Sequence, residues 1–232
     1  MKETISPVTL EKTVRSLCRM ISDQIFFPIP QSMSEEDLRC ELICCLLSSQ
    51  VPFESARVAA INIRSHGLLT DAYWHAYLPD LEVRLQELLS TPINVGGRVC
   101  KYRFPVVRAK QIYQTRNELY KRKMNLSDIV FRKRNMKRLR RELIFMVCGF
   151  GPKQASMFLR NIGCTYDLAI LDRHVLRYMV MQGLISPLRT DSISLTQYES
   201  IEFAMENYAI LLGYSIGYVD LAIWIAMRAA GG

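Results

Sequence analysis

The stretch Val147-Cys148-Gly149-Phe150-Gly151-Pro152-Lys153-Gln154-Ala155 leaves this chain few choices. Two glycines around a single Phe let the backbone turn without a Cβ clash, and Pro152 suits the first position of a new helix, where its missing N–H is not needed. Leu139, Leu143 and Met146 before the turn, and Ala155, Phe158, Leu159 and Ile162 after it, recur at helical spacing. Each flanking helix therefore has one apolar face, and the segment reads as helix, hairpin, helix, from about 140 to 163. The N–H groups left free at the start of the second helix, where Lys153 sits, make a cradle for an anion.

Which anion is suggested by the charge. Across 232 residues, half of them hydrophobic, Lys and Arg outnumber Asp and Glu to leave a formal charge of +8. Such a chain buries a sizeable core, so disorder is not expected, and its basic excess favours a polyanionic partner. Between Arg132 and Arg141 seven of ten residues are basic, among them Arg134, Lys137, Arg138 and Arg141. This run reads either as a solvated helix face or as a track for nucleic-acid phosphates. Seven cysteines, an odd number with no signal peptide ahead of them, are expected to be reduced core thiols. His66, His75 and His174 never approach one another or a cysteine at zinc-ligand spacing, so no metal is expected. The longest C-terminal apolar run, Ala209 to Val219, is too short to span a bilayer, and a cytoplasmic, nucleoid-associated protein is expected.

Elsewhere the chain reads as helices between short turns. Leu38 to Leu47 is apolar almost all round and leads into Ser48-Ser49-Gln50; Glu54 to Ile63, Asp71 to Tyr77, Leu81 to Leu89 and Arg103 to Tyr120 follow. Val95-Gly96-Gly97-Arg98 reads as a loop, with at most a short β pair around Val99 to Phe104. Ser186 to Ser194 is expected to be a surface connection, and the first 35 residues carry little signal.

Gly149 to Gly163, followed by Leu168-Ala169-Ile170-Leu171-Asp172-Arg173-His174-Val175-Leu176-Arg177, resembles the helix-hairpin-helix DNA glycosylase superfamily, and within it the archaeal-type 8-oxoguanine DNA glycosylase/AP lyases, the second Ogg family. Tyr102-Arg103-Phe104-Pro105-Val106-Val107-Arg108-Ala109 is similar to that family's Tyr-Arg-Phe segment with its Arg-Ala pair, and Val219-Asp220-Leu221-Ala222-Ile223-Trp224 to its Leu-Asp-Leu-x-x-Trp helix. The resemblance implies an all-α fold of two helical lobes, one from 38 to 165 and one from 1–37 plus 166–232, with the hairpin at an active-site cleft between them. The iron–sulfur cluster of some superfamily members is excluded because no cysteine lies beyond position 164. No cofactor is expected.

A base inside a duplex is out of reach, so such an enzyme flips the nucleotide into a pocket before attacking the sugar C1′. By resemblance Lys153 is the nucleophile, and Asp172, nineteen positions later, stabilises positive charge at C1′ besides capping the helix that starts at Arg173. A lysine amine, which in water titrates at roughly 10.4, needs desolvation or nearby positive charge to attack; a helix start walled by Phe150 and Met157 offers both. Gln50, Asp220 and Trp224, with Phe150, are the residues expected around the extruded base, and Gly149, Gly151, Arg134, Lys137, Arg138 and Arg141 the expected DNA contacts. Taken singly, Lys153 equally reads as a phosphate contact, Asp172 as a plain N-cap and Trp224 as core. A dinucleotide fingerprint is ruled out, since Gly149-Phe150-Gly151 has no third glycine and follows a helix.

The expected partner is double-stranded DNA containing a damaged base, bound by a monomer with no membrane involved. In the family a terminal lysine beyond the last helix contributes to recognition of oxidised guanine, whereas this chain ends Met227-Arg228-Ala229-Ala230-Gly231-Gly232. Three functions stay open: excision of 8-oxoguanine with strand cleavage through a lysine Schiff base, excision of another modified base, for instance in a defence system, and hairpin-mediated DNA binding without catalysis.

Overall fold

Helices and a single β-hairpin make up what the computed structural model describes, which is residues 6–24, 33–76, 79–131, 135–188 and 193–231. In chain order they are α1 (Pro7–Gln24), α2 (Glu35–Leu47), α3 (Phe53–Ser65), α4 (Asp71–Trp74), α5 (Leu81–Ser90), β1 (Ile93–Val95), β2 (Arg98–Cys100), α6 (Pro105–Arg122), α7 (Leu126–Val130), α8 (Met136–Met146), α9 (Pro152–Asn161), α10 (Arg173–Met181), α11 (Leu195–Leu212) and α12 (Ile216–Ala229). The chain divides into two compact units, Met1–Pro28 with Thr165–Gly232, and Ile29–Cys164.

In the first unit, α1 packs on α12. Leu10, Val14, Cys18 and Ile21, at steps of four, four and three, form its buried stripe and join a core with Val175, Met179, Met205, Val219, Ile223 and Ala226. The α11–α12 joint is a sharp bend of 93° at Gly213 to Ser215, and among the described residues no single helix is long and apolar enough to cross a membrane. Gly217, in the first turn of α12, donates its N–H to the Tyr166 carbonyl at 2.9 Å. A Cβ there would lie 2.7 Å from that same oxygen.

The same unit contains a largely buried stretch of irregular backbone, Ala169 to Leu171, outside any helix or strand. Side chains bond its backbone groups. Glu202 Oε1 accepts the Ala169 N–H at 3.0 Å, Asp220 Oδ2 the Ile170 N–H at 2.6 Å, and Tyr198 Oη the Leu171 N–H at 3.1 Å while donating to the Ala169 carbonyl at 2.8 Å. All three side chains are buried, on α11 and α12.

In the second unit, α2 packs on α3 and α9, α5 on α6, and α8 on α9. Ser34 caps α2 in a capping box with Asp37. Glu35, one residue further, accepts the Leu126 and Ser127 N–H groups at 3.0 and 2.8 Å and so caps α7 from another helix. Arg39 is fully buried, donating to the Leu69 carbonyl at 2.9 Å, pairing with Asp71 at 2.7 Å and lying 5.1 Å over the Trp74 ring.

Three expectations need correction. The β pair is Ile93–Val95 with Arg98–Cys100 rather than 99–104, because Gly96 and Gly97 both adopt positive φ and close a two-residue hairpin whose twist suits the strands. The helix expected from Asp71 ends at Trp74; Tyr77 lies outside the described residues. The N-terminal region holds an 18-residue helix, α1. All seven cysteines are unpaired. Burial pushes the Cys18 thiol up to about 11, Cys44 to about 12, Cys164 to about 11 and Cys45 well above the ordinary thiol value.

Two substitutions test this packing. Gly217→Ala should lower unfolding free energy by about 1–3 kcal/mol, since the new methyl meets backbone. Tyr198→Phe strands two buried backbone groups and should cost about 2 kcal/mol or more in urea unfolding; a loss under about 0.5 kcal/mol would show that the stretch does not depend on the hydroxyl.

Candidate active site

The hairpin is built from both ends. Val147, at the C-terminus of α8, is buried, and Phe150 closes the turn by donating its N–H to the Val147 carbonyl at 3.1 Å. Gly149 takes φ +84°, a conformation open to glycine, and Pro152 is the first residue of α9. The cap residue Gly151 offers no side chain, so the first-turn N–H groups of α9 are without a side-chain cap. Lys153 stands in that turn, half-buried.

Beneath the hairpin the two helices are tied. Arg140, part of the basic run, is not a surface cation: it is wholly buried and donates to Ser156 Oγ at 3.2 Å, binding α8 to α9. Phe150 is buried too, edge-on to Phe158 at 6.4 Å, so its ring belongs to the core under the turn rather than to an exposed wall. Glu41 on α2 accepts hydrogen bonds from Asn161 Nδ2 at 2.7 Å and Cys45 Sγ at 3.3 Å, fixing α9 against α2. Burial pushes the Cys45 thiol well above its ordinary value, and Lys153 opposes that shift.

Asp172 belongs to the other unit and is the N-cap of α10. Its Oδ1 accepts the His174 and Val175 N–H groups at 2.9 and 3.0 Å. The three residues before it are the stretch held by Tyr198, Glu202 and Asp220, so the position of this carboxylate is set from both sides. Asp220, expected near a base, is buried and gives Oδ2 to Ile170. Trp224, one turn further along α12, is 36% exposed, and the Arg228 guanidinium lies 4.6 Å from its ring centroid. Burial lowers the pKa of His174, with Asp172 opposing that shift.

Gln50 is exposed at the end of the turn after α2, with φ +60°. Among the expected DNA contacts, Arg138 is exposed and pairs with Glu142 at 3.3 Å, Arg141 is exposed and Lys137 half-buried; Arg134 lies outside the described residues. Beside them is a cleft of about 460 Å³, lined by Arg122, Arg138 and Arg141 over Met124, Ile129 and Met146. Sequence reasoning missed Tyr198 and Glu202, whose only signal is that two polar residues share the helical face of Ile201 and Met205, and it gave Arg108 and Tyr102 no role.

Known proteins resemble this chain along most of its length. The Ogg-HhH family, described as 8-oxoguanine DNA glycosylase, matches residues 23–214. An 8-oxoguanine DNA glycosylase/AP lyase of Saccharolobus islandicus is 31% identical over 217 residues, covering 93% of this chain and 94% of that protein. The crystal structure of the Thermotoga maritima 8-oxoguanine DNA glycosylase superposes with a TM-score of 0.69 at 31% identity, covering 93% of this chain and 95% of that one. The Methanocaldococcus jannaschii 8-oxoguanine glycosylase/lyase, solved in complex with a 15mer DNA containing 8-oxoguanine, gives 0.68 at 26% identity over 95% and 89%. With a half-buried lysine on an uncapped helix start and an aspartate held by two backbone N–H groups, the chain belongs to the helix-hairpin-helix 8-oxoguanine DNA glycosylase family.

Proposed function

We propose that this protein is a bifunctional DNA glycosylase and AP lyase that excises 8-oxoguanine from double-stranded DNA. The observation that carries the reading is Lys153, half-buried in the first turn of α9 directly after the Gly149 turn, in a chain of this family. Lys153 Nζ, as the free amine, attacks C1′ of the flipped nucleotide. The bond between C1′ and the base breaks and the base departs with its electron pair. The amine gives up a proton, the C1′–O4′ bond then breaks with O4′ taking a proton as a hydroxyl, and the resulting iminium on the opened sugar acidifies C2′; loss of a C2′ proton expels the 3′ phosphate by β-elimination, and water releases the lysine. Asp172 stabilises positive charge as it develops at C1′. Gln50, Asp220 and Trp224 serve the base, the first two by hydrogen bonds and the indole by stacking, while the Phe150 ring supports the turn from below.

The backbone at Gly149 and Gly151 with Lys137, Arg138 and Arg141 contacts phosphates, which position the duplex without reading its sequence. The protein works as a monomer, at the nucleoid in the cytoplasm.

Incubation with an 8-oxoguanine duplex and borohydride should give a covalent protein–DNA band that Lys153→Gln abolishes while DNA binding is retained. An undiminished band in that variant would overturn the mechanism; trapping only on an abasic duplex would assign the excision step to a different base. Replacing Lys137, Arg138 and Arg141 by Gln should weaken binding to all duplexes alike and reduce the slope of log affinity against log salt by about 0.9 for each phosphate no longer neutralised. An unchanged slope would return these residues to an ordinary solvated face.

A further inference from the structure

We infer that Arg108 is a positioning residue for base recognition: gripped by Gln111, its guanidinium braces the turn that presents Gln50, and Gln111 in turn lies against Gly149 of the hairpin. The inference rests on the reading of Gln50 as a contact to the extruded base.

Gln50 needs bracing. Its φ of +60° is a left-handed conformation that a non-glycine residue keeps only where the surroundings over-determine it, and its own side chain is exposed. Within the turn the closing bond is long, Val51 N–H to the Ser48 carbonyl at 3.4 Å. Two side chains from outside supply the rest. Tyr102 Oη donates to the Leu47 carbonyl at 2.8 Å, and Arg108 Nη2 donates to the carbonyl of Ser49, the residue before Gln50, at 3.2 Å. Arg108 is 8% exposed, and its Nη1 donates to Gln111 Oε1 at 2.6 Å. Both braces come from the Tyr-Arg-Phe segment and the helix it opens.

The other end of the brace is the hairpin. Arg108, Gln111 and Thr115 recur at steps of three and four along α6 and so share one face. A Cβ on Gly149 would fall 2.5 Å from the Gln111 amide carbon, so the hairpin backbone rests on the amide that grips Arg108. One turn on, Thr115 Oγ1 accepts the Cys148 N–H at 3.0 Å. One face of α6 thus keeps the turn carrying Gln50 in register with the turn that precedes Lys153. A lysine at 108 is a poor substitute, because a single ammonium lacks the planar fork that serves two acceptors at fixed angles.

The experiment compares two rates in the full-length protein under single-turnover conditions: base excision from an 8-oxoguanine duplex, and cleavage of a duplex with a preformed abasic site, which offers no base to read. Arg108→Lys should lower the ratio of the first rate to the second about tenfold or more. Gln111→Leu, at a half-buried position, should do the same, and Gln111→Glu, which keeps an acceptor for the guanidinium, should recover most of the ratio. A parallel fall of both rates would reduce Arg108 to a packing residue and overturn the inference. Gln50→Ala separates the two readings. An unchanged ratio there overturns the assignment of Gln50 and the brace with it; a lowered ratio there beside an unchanged one in Arg108→Lys overturns the brace alone.

Discussion

A protein made almost entirely of helices has little sheet to support its connecting segments, yet each buried peptide group between helices still needs a hydrogen-bond partner. This chain meets that constraint with buried polar side chains projected from helices. Tyr198, Glu202 and Asp220 serve the stretch before Asp172; Tyr102 and Arg108 serve the turn before Gln50; Glu35 serves the start of α7; Thr115 serves the hairpin. The segments that carry the candidate chemistry are the ones held in this way. Their geometry follows from residues whose work is done inside the protein.

Candidate site residues occur in both units. Lys153, the Gln50 turn and the basic face of α8 lie in the unit Ile29–Cys164; Asp172 and Trp224 lie in the other. Within each, one candidate residue, Lys153 or Asp172, sits at a helix N-terminus, where backbone dipoles and N–H groups favour negative charge. Asp172 accepts two of those N–H groups, from His174 and Val175.

What could be read in the sequence was local. The apolar steps of α8 and α9, the glycine turn, Pro152 and the N-cap at Asp172 act over a few residues, so spacing and residue type suffice, and the all-helical class follows from them. The amphipathic steps of α1 were equally present but lay apart from any motif. Long-range polar ties were not legible: Tyr198 reaches back 27 residues and Glu202 33, and neither announces its partner. Arg140 looked like one more cation in a charged run, because nothing in the chain says that this one residue turns inward to Ser156.

The buried cysteines carry a chemical consequence. Oxidants and alkylating agents attack the thiolate, and burial disfavours that form at Cys18, Cys44 and Cys45. Labelling kinetics at Cys18 in one unit and at Cys44 and Cys45 in the other therefore report how often each opens, which makes these thiols internal clocks for local motion.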